Sequence, residues 1–220
     1  NRLNKSDSQD YQNIPPTDIQ EVVNKALLEL MRRTLHGANQ FREGTEDSKV
    51  RVSDFQVLIK PKTLAGKNLD LYFHSSSIPE DFFNHIEVTA IADKDICKNA
   101  RIPSDLIENA NVNKFLTDGD KSPSFEFEQS FHVMAENKIK LYHNGDFEVK
   151  EIELIYYRNP QYIQIPGAFL ISGQIGQDME LELKDDLMEI VIEEAAKIKA
   201  ADIESLNRQQ LSDKAVEQDI

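Results

Sequence analysis

The feature that most constrains the fold is a set of strand patterns between residues 125 and 158. Apolar and polar residues alternate over 125–129, 138–143 and 148–158, which is typical of strands with one buried face. Asn144 and Gly145 separate the last two runs, and this dipeptide favours a tight turn with positive φ. These patterns predict an antiparallel meander.

Three weaker patterns of the same period precede this region. They predict strands at residues 50–60, 69–74 and 85–92, with Pro61 ending the first strand. Residues 79–84 are predicted to form a short helical turn, because a proline is followed there by two acids. The sheet is therefore expected to begin well before residue 125.

Residues 93–124 interrupt the strand patterns. They are rich in Asn, Asp, Lys and Ser and contain the turn pairs Asp118-Gly119 and Ser122-Pro123. A weak helical pattern occupies residues 103–110. The segment is predicted to be a long excursion from the sheet.

Two segments carry a helical period. In residues 17–36 apolar side chains recur at steps of three and four, and Gly37 follows the last turn. Thr17 followed by Gln20 has the form of a capping box. Residues 184–203 show a second apolar stripe with glutamates on the opposite face.

Together these patterns predict an α+β fold, in which an antiparallel β-sheet domain is combined with an N-terminal amphipathic helix and a long C-terminal helix. The predicted organisation is an extended arm at 1–16 and a helical part at 17–48. A β domain follows at 49–165, with its excursion at 93–124, and a linker with an acidic C-terminal helix and tail occupies 166–220.

Charge and composition narrow the function. The net charge of -14 argues against a broad surface that neutralises the phosphates of duplex DNA. Residues 173–220 hold 13 Asp and Glu against 5 Lys and Arg, so the acid is concentrated near the C-terminus. No apolar run reaches the roughly 18 residues of a membrane-spanning helix, and a soluble protein without a membrane partner is expected. Cys97, the single cysteine, is predicted to be buried.

No pattern in the sequence favours catalysis. The five histidines show no local spacing of metal ligands, and the serines at 75–77 lack the glycines of a nucleophile elbow. The carboxylate pairs at 185–186 and 193–194 are typical of a solvated helix face. No catalytic residue, cofactor or metal is predicted. A small-molecule-binding or hydrolytic site assembled from distant residues such as His74, His85 and Asp93 stays open.

A cluster of aromatic residues beside an arginine marks the end of the last predicted strand. Tyrosine and arginine are enriched in the energetically dominant positions of protein interfaces. Stacking on nucleic-acid bases is the alternative, but the charge disfavours it. An interface is therefore predicted at Tyr156, Tyr157, Arg158 and Tyr162.

Three segments together carry a resemblance to a family. The first combines Leu3-Asn4-Lys5, Ile14-Pro15-Pro16 and a helix with Val23-Asn24-Lys25-Ala26. The second runs from Cys97 through Pro123 to Lys138-Ile139-Lys140-Leu141-Tyr142 and the strand Ile152-Glu153-Leu154-Ile155-Tyr156-Tyr157-Arg158-Asn159-Pro160. The third is the acidic lead at 179–184 into a helix with Glu189-Ile190-Val191 and Ala195-Ala196. They resemble the head-to-tail connector proteins, neck rings or adaptors, of crAss-like and related short-tailed bacteriophages.

The resemblance implies a structural role in the virion, which is assembled in the host cytoplasm. It implies a ring of many copies at the head-to-tail junction below the portal, with a helical part, a β part and no enzymatic activity. The implied partners are copies of the chain, the portal and other neck or tail proteins. Genomic DNA would pass through the channel without specific binding. A tail-tube or tail-hub subunit of the same kind of particle is the nearest alternative.

Overall fold

The computed structural model describes residues 14–35, 55–168 and 175–218, with side chains of the last helix described as far as residue 203. The chain divides into two compact units. One unit is Leu58–Asn159, and the other joins the segments on either side of it.

Seven strands make up the sheet of the unit Leu58–Asn159. They are Ile59–Asn68 (β1), Tyr72–Ser77 (β2), Phe82–Lys94 (β3), Cys97–Leu106 (β4), Ser130–Ala135 (β5), Lys138–Tyr142 (β6) and Glu148–Arg158 (β7). The strands form a closed barrel in the order β1-β2-β6-β5-β4-β3-β7. Neighbours are antiparallel except β4 and β5, which pair in parallel over Ser104–Leu106 and Ser130–His132.

The predicted α+β fold class, with an antiparallel sheet domain and terminal helices, is wrong. β7 pairs along both edges, with β1 and with β3, and the parallel β4–β5 contact completes a barrel. Parallel neighbours need a crossover connection, and residues 107–129 supply it with the helix Val112–Thr117 (α2). Alternation in a sequence gives the faces of a strand but not its neighbours, so it did not reveal the closure.

The excursion predicted at 93–124 is also wrong in its first part, because β4 lies there. Only Ile102 of β4 is buried, so the strand carries no alternating pattern. β1 likewise buries only Leu64 and begins at Ile59, and it continues through Pro61. Proline is tolerated there because β1 pairs with β2 only over Gly66–Asn68. The first half of β1, which contains Pro61, therefore has one edge without a partner in the β1–β2 ladder.

Two further local predictions are wrong, and one strand was not predicted. Residues 79–84 form a turn followed by the start of β3, not a helical turn, and residues 125–128 form a turn closed by a bridge between Ser124 and Gln129. β5 was missed because its first four residues are all buried. One face of β5 lines the barrel and the other lies under α2, so no polar face alternates with the apolar one.

Side chains fill the barrel. Its interior packs the aliphatic and aromatic residues Leu64, Phe73, Val88, Ala90, Ile102, Ile139, Leu141, Phe147, Val149, Ile152 and Leu154. A second cluster lies on the outer face of β5 and β6, where Phe131, Val133 and Tyr142 pack with Val112 of α2. Barrels with about eight strands are just wide enough for side chains to occupy their interior, and this barrel follows that rule.

The other unit contains two longer helices that pack together, Pro16–Leu35 (α1) and Asp185–Gln218 (α3). The helix predicted at 17–36 is confirmed as far as Leu35; His36 lies outside the described residues. The helix predicted at 184–203 begins at Asp185 and extends to Gln218, with its side chains described as far as residue 203. The arm predicted at 1–16 falls almost wholly outside the described residues.

Two amides on the buried face of α1 hold an extended segment. The Asn24 side chain donates to the Ile163 carbonyl at 2.9 Å and accepts from the Ile163 amide at 2.8 Å. Gln20 accepts from the Ile165 amide at 2.9 Å. The four-residue step from Gln20 to Asn24, about 6.0 Å along the helix, thus matches two residues of extended chain, about 6.6 Å. The capping box predicted from Gln20 is wrong, because its side chain serves this contact instead.

Replacing Asn24 by Leu is expected to lower the free energy of unfolding by about 2 kcal/mol, because it leaves two backbone groups of Ile163 without their partner in a partly buried setting. Urea unfolding checks this. The matched control is Glu21→Leu, an exposed position on the same helix. Equal effects of the two substitutions would contradict the structural role of Asn24.

Candidate interaction surface

The residues that could have formed a chemical site do not meet. His85 and Asp93 are both on β3, eight residues apart, which is about 26 Å along a strand. Asp93 instead accepts from the Asn99 amide and pairs with Lys150. Within the described residues no group of three or more His, Cys, Asp or Glu side chains could hold a metal ion. The alternative site at His74, His85 and Asp93 has no common geometry.

The other candidate groups are structural or exposed. The Ser75 hydroxyl accepts from the Ile139 amide at 2.9 Å and donates to the Ser76 carbonyl at 2.7 Å, so it is held in a backbone network. Cys97 is exposed at the first position of β4, and the prediction that it is buried is wrong. It was treated as a small apolar residue, but it follows directly on the β3–β4 turn.

The predicted interface at the end of β7 is only partly available at the surface. Tyr156 and Tyr157 are buried. The Tyr156 hydroxyl donates to Asp81 at 2.8 Å, and its ring stacks on Phe82 with centroids 5.6 Å apart. Burial, followed by the hydrogen bond to Asp81, raises the pKa of Tyr156 to about 12.

Arg158 and Tyr162 differ from these two tyrosines. Arg158 is half-buried, and Tyr162 is 46% exposed and belongs to the other unit. The sequence pattern did not distinguish aromatic residues that fill the barrel from those that reach the surface. Tyr162 is the member of the predicted set that keeps a large exposed apolar area.

The contact between the buried His132 and the half-buried His85 was not predicted. His132 is paired across the sheet with the core residue Leu141, so it lies on the inner face of β5. Its Nδ1 is 3.0 Å from the Ser104 hydroxyl, and its ring centroid is 6.1 Å from that of His85. Burial first, and then the charge of His85, lower the pKa of His132 to about 4. The pair is suited to staying neutral inside the barrel.

Four large apolar side chains are exposed at one end of the barrel. They lie in the β1–β2 connection, in the β3–β4 turn and in the loop before β5: Leu69 (45% exposed), Leu71 (46%), Ile96 (94%) and Phe127 (82%). We call them the apolar end. Single exposed apolar residues are common, but two nearly bare side chains on adjacent loop tips are a feature of interaction sites.

The loops of the apolar end are held together by a bridge of charges. Lys94 donates to Asp146 at 2.6 Å and to Glu126 at 2.7 Å. Asp146 also accepts from the Phe125 amide at 2.8 Å. Hydrogen bonds to Asp146 and then to Glu126 raise the pKa of Lys94, so the lysine keeps its charge. This arrangement fixes the loop that carries Phe127 against the β3 end.

The remaining loop is tied to the same end through the backbone. The amides of His143 and Asn144 both donate to the Leu71 carbonyl, at 3.0 and 3.1 Å. The Asn68 side chain also donates to the Val149 carbonyl at 2.6 Å and accepts from the Val149 amide at 3.1 Å. The exposed side chains are therefore presented on preorganised loops, which lowers the entropy lost on binding.

Comparison with known proteins does not assign a family. No protein-family model matches the sequence, and no curated protein is similar to it. Among the described helices, none is long and apolar enough to cross a membrane.

One crevice among the described residues is too small to hold a ligand. It lies in the unit with the two long helices, where Leu27, Ile163, Met179 and Met188 are among its lining residues. Its volume of about 10 Å³ is the space of roughly one water molecule. Drug-sized ligands occupy pockets of about 300 Å³ or more. The crevice is a packing defect rather than a ligand site.

Replacing Asp146 by Asn should loosen the loop that carries Phe127. The substitution weakens the contact with Lys94 and removes the charge from the acceptor of the Phe125 amide. We expect hydrogen exchange of that amide to rise on the order of tenfold. Glu148→Gln, an exposed position at the same end, is the control. Unchanged exchange in Asp146→Asn would rule out the bridge as the element that fixes the loop.

Proposed function

We propose that this chain is a non-enzymatic structural subunit of a tailed-phage virion, in which copies assemble into a ring at the head-to-tail junction below the portal. The observation that carries the structural role is the contrast between a barrel filled with side chains and loop tips that expose Ile96 and Phe127. Such a barrel has no interior room for a substrate, while its loops present apolar contact area. The phage setting is supported by the sequence resemblance.

Ring assembly requires two different patches on each copy, so that each patch meets its complement on the next copy and the rotation closes. The chain offers several exposed apolar positions outside the apolar end. Described examples are Tyr162 (46% exposed), Ile175 (61%) and Ile190 (51%). We assign the ring contact to the unit that contains these three residues. The apolar end of the barrel then stays available to other neighbours.

The charge suits a channel through which DNA passes. With a net charge of -14, and with Asp185, Asp186, Glu189 and Glu193 exposed on α3, the chain repels the phosphate backbone. Binding to DNA would instead require lysines and arginines that displace its counterions. Genomic DNA is thus a passing neighbour in this proposal and not a ligand.

Native mass spectrometry over a range of protein concentrations tests the proposal. We expect one discrete multimer to replace the monomer as concentration rises, since a closed ring has a fixed number of copies. A monomer at every concentration would refute the ring. A series of multimers of increasing length without a preferred size would favour an open stack, as in a tail tube.

A further inference from the structure

We propose that the apolar end of the barrel is a docking surface for a different protein whose apolar pockets are rimmed by lysine and arginine. The inference goes beyond the ring, because it concerns a neighbour of another kind and a surface that the ring contact does not use. It rests on the geometry and charge of four loops within one compact unit.

The apolar side chains have the geometry of anchors. Ile96 is 94% exposed and Phe127 82% exposed, and they occupy the tips of loops joined by the Lys94 bridge to Glu126 and Asp146. Large apolar side chains on preformed loops gain most when they enter pockets of a partner.

The charge around the tips selects the partner. The loops at 67–72, 93–98, 124–129 and 143–148 contain seven carboxylates but only three lysines. Two of these lysines, Lys94 and Lys98, are paired with acids of the same end. The exposed acids Asp70, Asp95 and Glu128 therefore flank the apolar tips with a surplus of negative charge. Complementary surfaces meet negative patches with positive ones.

A second copy of the chain is a poor occupant. Two apolar residues exposed on the described part of α3, Ile190 and Ile192, lie next to Glu189 and Glu193. Placing the apolar end on such a surface would oppose like charges, which costs affinity. A basic neighbour avoids this cost.

Titration of the full chain with two designed peptides tests the docking surface. The first is an amphipathic helix of leucine and lysine, and the second is the matched helix of leucine and glutamate. We expect the lysine peptide to bind more tightly, with an affinity that falls as salt is added. In two-dimensional NMR spectra its shifts should be confined to residues 69–71, 95–97 and 125–128.

Variants separate the apolar end from general attraction to an acidic protein. Ile96→Ser combined with Phe127→Ser should weaken binding of the lysine peptide by about tenfold or more. Ile86→Ser is the matched control, because Ile86 is an exposed apolar residue on the wall of β3 (40%), and it should change the affinity by less than about twofold. All three substituted positions are exposed, and a circular dichroism spectrum checks that each variant is folded.

Three outcomes of the peptide titration would overturn the proposal. They are equal binding of the two peptides, equal binding by the double variant and the parent chain, and shifts that lie outside the four loops. Binding of phosphatidylcholine vesicles that the double variant loses would also overturn it, in favour of a lipid surface. The ring is tested separately by mass, so the docking surface can fail while the ring stands, and the reverse.

Discussion

Gly66→Ala is expected to destabilise the barrel by roughly 3 kcal/mol or more. Gly66 lies opposite Ser75 in the short β1–β2 ladder, which consists of the pairs at Gly66, Lys67 and Asn68. A Cβ at this position would overlap the backbone carbonyl oxygen of His74 and would lie 2.7 Å from Cζ of Phe73. Neither group can withdraw easily, because one is backbone and the other is a fully buried core ring.

The consequence reaches beyond a local clash. β1 meets β2 only through this ladder, and the ladder is one of the seven contacts that close the barrel. Moving β1 outward would expose Phe73 and Leu64, both part of the interior cluster. The free energy of unfolding is measured in urea at neutral pH.

A glycine on the surface gives a matched control for that measurement. At Gly119 an added Cβ meets nothing within 4 Å, so Gly119→Ala should change stability by less than about 0.5 kcal/mol. Equal stability of Gly66→Ala and Gly119→Ala would contradict the barrel closure described above. The comparison therefore tests the barrel at the short β1–β2 ladder.

The second large effect concerns pH. His132 has a pKa of about 4 in the folded chain against an ordinary value of 6.5. The folded state thus holds fewer protons than the unfolded state between these values. Stability is fully present above about pH 6.5 and is lost as the pH falls towards 4, by about 1.4 kcal/mol per pH unit and roughly 3 kcal/mol in all.

His132→Leu should remove most of that slope. Urea unfolding at several pH values between 7 and 5 measures it, and this window lies above the pH at which carboxylates are protonated. The neighbour His85, whose pKa burial also lowers, is less buried than His132. His85→Gln should therefore flatten the profile less. An unchanged slope in His132→Leu would contradict the buried neutral histidine.

Some of the fold could be predicted from sequence because local patterns determine it. β7 has the bounds predicted from its alternation, Glu148–Arg158, since one face fills the barrel and the other is less buried. α1 follows from an apolar stripe with a proline at its first position. In both elements the buried residues recur at the regular spacing of a strand or a helix.

The closure of the barrel could not be predicted in this way. β5 is buried on both faces and β4 on almost none, so neither has a period of two. The parallel contact between them depends on a crossover through α2, a long-range feature that alternation does not encode. The same limit explains Tyr156, which was predicted to contact a partner but is buried between β1 and β3.

Part of the apolar end could be predicted from the sequence. The Asn144-Gly145 turn was predicted, and Asn144 has the positive φ of 51° that this turn requires. Ile96 lies between charged residues at 94–98, which indicates an exposed tip. The prediction of a long excursion at 93–124 did not use this signal. Phe127 was interpreted as part of a strand because it alternates with glutamates, although Phe127 and both glutamates lie within a turn.

Single-particle imaging of the purified chain over a range of concentrations tests the central proposal most directly. A structural subunit of the head-to-tail junction should appear as a closed ring with one rotational symmetry and an open channel at its axis. The apolar ends of the barrels should lie outside the contacts between copies. Images that show only separate monomers at every concentration would contradict the account.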